Sequence, residues 1–202
     1  MKSRTTDELH RDYGMTALTE IPSAALLPFA TTGEFSSLAR NHCCAIMVMN
    51  LLLQEYPEYC RRFTRRDLFL RIHAAVGNGP VFTLRRANSF LQKEGLPGRF
   101  ERVPLSAQHP HSPYASKAPQ PFRSALLLAA GPFDWHWVLA SADASRQIAK
   151  THTGRTPSPC SGSTFRVITG WDSRQLFQWN PCSGVRLLSI WQFHPGTPTR
   201  SL

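Results

Sequence analysis

Hydrophobic and polar residues alternate along this chain with a period that changes from one end to the other. Residues 1–33 show no sustained period and read as an irregular arm. They precede a folded region over 34–195 and a short tail at 196–202. From Cys43 the run CCAIMVMNLLL is apolar on every side, the pattern of a helix buried all round. Asn41 stands where a helix cap belongs. Asn50 is the one strongly polar residue of the run, and inside a core it needs a hydrogen-bond partner.

Two further helices follow. Thr64 stands three residues before Asp67, a capping-box spacing with Asp in place of Glu. The segment Leu68–His73 continues that helix and Gly77 is placed to stop it. Leu84, Ala87, Phe90 and Leu91 recur at helical spacing in a helix that runs to about Glu94 and closes at Gly95. Five prolines mark residues 104–121 as a long loop. Beyond it the apolar runs shorten to Ala125–Ala130, Trp135–Ala140, Phe165–Thr169, Leu176–Trp179 and Val185–Phe193. They are rich in β-branched and aromatic residues and read as strands. The polar stretch 142–164 reads as a second loop or insertion. Helices over about 41–100 precede strands over about 122–193. The order predicts an α+β fold, N-terminal helices packed on a C-terminal antiparallel sheet.

Composition narrows the function classes. A chain of 202 residues that is 42% hydrophobic is long enough to bury one core and is not a disordered polymer. The formal net charge of +10 is uneven: residues 1–60 carry −3, residues 61–103 carry +7, and the remainder carries +6. Such a surface attracts nucleic acid, anionic lipid or an acidic peptide, or is simply a solvated face. Arg61, Arg62, Arg65 and Arg66 precede one helix and Arg85 and Arg86 begin another, as phosphate contacts would require. No recognised nucleic-acid motif accompanies them. The five cysteines are odd in number and lack zinc-ligand spacing. Reduced thiols, no metal and no cofactor are therefore expected, in a cytoplasmic protein. The polar N-terminus is no signal peptide, and the run Cys43–Leu53 is too short to cross a bilayer, so no membrane anchor is expected.

Cys43 opens the buried helix, where partial positive charge and free N–H groups lower a thiol pKa and face a developing oxyanion. The plainer role for such a cysteine is a small core residue. His136, in GPFDWHWVLA, begins a strand and has the chemistry of a base for a thiol. Its plainer role is a partly buried histidine held between Trp135 and Trp137. His42 is adjacent to Cys43 in sequence, and adjacent residues on a helix do not face one another.

The segment NHCCAIMVMNLLL (41–53) resembles the nucleophile segment of bacterial papain-like cysteine peptidases, in the branch that includes the double-glycine leader peptidases. Cys43 and Asn50 fit its spacing of seven. SALLLAAGPFDWHWVLA (124–140) is similar to the strand, histidine and hydrophobic strand of that family, and FRVITGWDSRQLFQWNP (165–181) to the strands that follow. The resemblance covers about residues 36–190. It implies a papain-like fold in which Cys43 is the nucleophile and His136 the base. It also implies a third residue orienting the imidazole: Asn180 before Pro181, with Asp172 and Thr169 as alternatives. The sequence departs from the family at Cys44, where a small residue is usual, and no Gln lies between Phe29 and Cys43 to serve the oxyanion. Ser37 and Asn41 are the substitutes on offer.

Three functional readings follow. The first is a thiol hydrolase that cleaves a peptide or related amide bond through an acyl-enzyme. The second is a catalytically inactive papain-like fold that binds a peptide or protein. The third, less favoured, is a basic nucleic-acid-binding protein.

Overall fold

The computed structural model describes residues 6–18, 29–39, 41–79, 83–104, 121–132, 134–141, 165–171, 176–180 and 185–196. In chain order they form α1 (Thr6–Tyr13), β1 (Met15–Ala17), a 3-10 turn (Gly33–Phe35), α2 (Cys43–Glu55), α3 (Pro57–Cys60), α4 (Arg65–Val76), α5 (Thr83–Lys93) and β2 (Gly98–Val103). Then come β3 (Phe122–Gly131), β4 (Asp134–Ser141), β5 (Phe165–Ile168), β6 (Leu176–Trp179) and β7 (Arg186–Pro195). The strands make one antiparallel sheet in the order β1-β6-β5-β4-β3-β7-β2. The architecture is α+β, with N-terminal helices on a largely C-terminal sheet. Among the described residues no helix is long and apolar enough to cross a membrane.

The helices begin and end where local chemistry sets them. Thr64 accepts a hydrogen bond from the Asp67 amide (3.1 Å), which caps the first turn of α4, and its hydroxyl donates to the Asp67 carboxylate (2.7 Å). Gly77 ends α4 with φ +75°. The cap of α2 departs from expectation. Its N-cap residue is His42, without a side-chain cap bond, and Asn41 instead takes the left-handed conformation (φ +54°) that reverses the chain before the helix. Ten residues of α2 are buried, as an all-apolar helix requires.

The N-terminal segment read as irregular contains α1 and β1, and β1 pairs with β6 at the sheet edge. The folded unit therefore includes residues from Thr6 onward. Leu9 and Tyr13, four apart on α1, are its two buried positions, too few to reveal a period without the sheet they cover. Strand β2, with only Phe100 buried, likewise extends the sheet before the proline-rich loop. Its outer edge is partly closed. Asn88 of α5 accepts from the Phe100 amide (2.7 Å) and donates to the Phe100 carbonyl (2.8 Å), occupying backbone groups that another strand would use. Residues 105–120, 142–164 and 197–202, which include most of both long loops and the tail, lie outside the described residues.

Two apolar clusters cover the two faces of the sheet. Helices α2 to α5 pack on one face against Ala125, Leu127, Trp137 and Leu139. On the other face Leu9, Tyr13 and Trp171 pack against Leu126, Leu128, Val138 and Ala140. Consecutive residues of β3 and β4 thus serve opposite cores. Both strands are buried on both sides, which is why they read as continuous apolar runs.

Candidate active site

Cys43 is the first residue of α2, the position at which a helix dipole would favour a thiolate. The side chain is only 1% exposed and packs in the core between the helices and the sheet. Burial pushes its thiol up to about 12, with adjacent Cys44 adding to the rise. The Trp137 backbone and the amides at the helix start pull the other way without offsetting it. Cys44 donates to the Gly77 carbonyl at 3.2 Å, and burial raises its thiol too. Both thiols are held in the protonated form.

His136 is fully buried on β4. Its register partner on β3 is Leu128, whose side chain belongs to the α1-side core, whereas neighbouring Trp137 pairs with Leu127 of the α2-side core. Directly opposed residues of antiparallel strands point to the same face. The imidazole therefore lies on the α1 side of the sheet and Cys43 on the α2 side. The ring stacks on Trp171 with centroids 3.6 Å apart and planes at 15°, not between Trp135 and Trp137. Trp171 meets Tyr13 edge-on at 4.9 Å, and the Tyr13 hydroxyl donates to Asp134 Oδ1 at 2.9 Å. His136 Nε2 lies 2.6 Å from the Thr169 carbonyl. A carbonyl oxygen only accepts, so Nε2 carries the proton in this bond.

The candidates for the third member separate in the same way. Thr169 meets the imidazole, but through its backbone carbonyl. Its hydroxyl accepts from the Trp171 amide (3.4 Å). Asn180 is exposed at the end of β6, two strands from β4 in the sheet. The pairings Leu139↔Ile168 and Phe165↔Trp179 set Asn180 seven residues along from His136, about 23 Å at strand rise. It cannot orient that ring. Asp172 lies outside the described residues. Ser37 and Asn41, read as oxyanion donors, are both exposed, whereas Cys43 is buried. Asn50 also has a defined partner. Its amide accepts from the Ala30 N–H (2.7 Å) and donates to the Ala30 carbonyl (3.1 Å).

His42 takes a structural place next to Cys43. Its Nε2 donates to the Thr32 carbonyl (3.0 Å), and its ring meets Phe69 edge-on at 5.3 Å. Burial lowers its pKa from the usual 6.5, with the Thr32 hydrogen bond opposing that shift. The folded protein thus resists a proton that the unfolded chain accepts. Stability should be complete above about pH 6.5 and should fall as pH drops through that value towards the lower folded pKa. Urea midpoints measured from about pH 7 to about pH 5 are expected to fall for the parent and to fall less steeply for His42→Gln. Equal slopes would remove His42 from the acid response.

The residues that surround His136 were not singled out as a group by sequence. Tyr13, Asp134 and Trp171 lie far apart in the chain, and no spacing rule joins a helix of eight residues to a strand more than a hundred residues later. Among the described residues no three His, Cys, Asp or Glu side chains cluster as a metal site would require. No family model matches the chain, and no curated protein or solved structure is significantly similar to it.

Proposed function

We propose that this chain is a non-catalytic member of the papain-like class, a module that binds a peptide or protein. The order of its motifs and the laying of a cysteine-headed helix against an antiparallel sheet support the papain-like assignment. One observation carries the non-catalytic reading: Cys43 and His136 belong to opposite faces of the sheet. A thiol and its base must come within hydrogen-bond reach for the proton to pass between them. Here a strand stands between them, and each group is engaged on its own side. Burial reinforces the separation. The raised thiol pKa keeps Cys43 protonated at neutral pH.

The thiol-hydrolase reading retains one favourable feature, the place of Cys43 in the first turn of α2. Iodoacetamide labelling, resolved to each cysteine by peptide mass, separates the two. Cys43 is expected to label no faster than the protein unfolds, with a rate that rises with urea in parallel with unfolding. Rapid native labelling below about pH 7 would identify an activated thiolate and overturn the binding-module reading.

A further inference from the structure

The basic middle of the sequence folds into a groove between α4 and α5, with a volume of about 450 Å³. Arg86 and Lys93 line it from α5, seven residues apart, and Phe90 lies between them on the same face. Ala74 and Ala75 supply the apolar lining from α4. Arg71, also at the groove, donates to Glu94 at 2.7 Å, and its guanidinium sits 4.9 Å from the Phe63 ring centre. Its charge is already met. Arg86 reaches the Val76 carbonyl at 3.5 Å. Among the described residues neither Arg86 nor Lys93 lies within ion-pair distance of a carboxylate. The groove therefore presents two cations without a carboxylate at ion-pair distance, about 10.5 Å apart along α5, with Ser89 and the buried Phe90 between them and Ala74 and Ala75 lining the α4 side.

We infer that this groove binds an acidic amphipathic helix of a partner protein. The helix would carry carboxylates at i and i+7, and apolar side chains at i+3 and i+4. Seven residues of a helix span the same rise as Arg86 to Lys93, so both carboxylates meet cations while the apolar pair covers Ala74 and Ala75. A nucleic-acid backbone suits the site less well, because it offers nothing to the alanine side of the groove. The inference rests on the binding-module reading for its setting and adds the chemistry of the partner.

The test is fluorescence anisotropy with a labelled, end-capped peptide of about 16 residues on an Ala/Gln background. It carries Glu at i and i+7 and Leu at i+3 and i+4. Its comparators are a scrambled peptide of the same composition and a single-stranded oligonucleotide of similar charge. Binding of the patterned peptide should weaken about tenfold in Lys93→Glu and in Arg86→Gln, and about tenfold on scrambling. It should hold in Arg66→Glu, an exposed charge of α4 outside the groove. Circular dichroism melts of each variant show whether it remains folded. Four results would each overturn the inference: no binding of the patterned peptide; equal binding of the scrambled one; equal loss in Arg66→Glu; or tighter binding of the oligonucleotide with the same dependence on Arg86 and Lys93. If the peptide fails while Cys43 stays protected from iodoacetamide, the groove assignment falls and the binding-module reading survives.

Discussion

Trp171→Ala is expected to destabilise the protein by about 3–5 kcal/mol, the range for removing a large buried aromatic side chain. Trp171 is 1% exposed and joins two elements that sequence does not connect. Its ring stacks on His136 of β4, meets Tyr13 of α1 edge-on, and belongs to the core of the α1-side face. Truncation removes two ring contacts and leaves a cavity that the flanking strands cannot close. Helix α1 has eight residues and two buried anchors, so it has little independent reason to stay docked. Urea denaturation reports the global loss, and native-state hydrogen exchange should show α1 opening ahead of β3 and β4. Trp171→Phe should retain part of the stability, because a smaller ring still faces His136. A loss below about 1 kcal/mol in Trp171→Ala would mean that the stack contributes little and that α1 is held by other contacts.

Asn50→Leu is the second large expected effect, about 2–4 kcal/mol of destabilisation. Asn50 is 1% exposed in the middle of α2. Its side-chain amide makes a reciprocal pair with the backbone of Ala30, itself fully buried. Leucine occupies a similar volume but offers neither donor nor acceptor, so one N–H and one C=O are left in the core without these partners. Each such group costs about 1–3 kcal/mol, partly offset by the added apolar surface. The amide of Ala30 should also exchange much faster in the variant. A neutral substitution with unchanged exchange at Ala30 would show that water or another group takes over the pair. The effect reaches beyond α2, because the Thr32 amide two residues along donates to the Gly170 carbonyl at 2.7 Å. The segment before α2 is thereby tied to the loop that carries Thr169 and Trp171. That loop sits close on the helix: at Gly170 (φ +67°) a side-chain carbon would meet Ile46 Cγ2 at 2.6 Å.

Much of this fold was legible locally. The apolar run of α2, the Thr64–Asp67 cap of α4 and the spacing of α5 depend on residues within one or two turns, so their signals survive without the rest of the molecule. Strands β3 and β4 were visible because both of their faces are buried and their runs are largely apolar, and β5, β6 and β7 through their β-branched or aromatic residues. Strands β1 and β2 and helix α1 were not. Each carries only one or two buried residues, and what makes them regular is the partner they lie against.

The chemistry of the candidate site divides at the same point. Sequence alone placed Cys43 at the head of a buried helix, required a partner for Asn50, and placed His136 at the start of a strand. It could not say which side faced the helices. The register of β4 against β3 decided that, together with the face on which α2 lies, and the β4–β5 and β5–β6 pairings carried Asn180 well along the sheet from His136. These are long-range choices, made by the fit of two cores against one sheet, and a period read along a single strand contains no information about them.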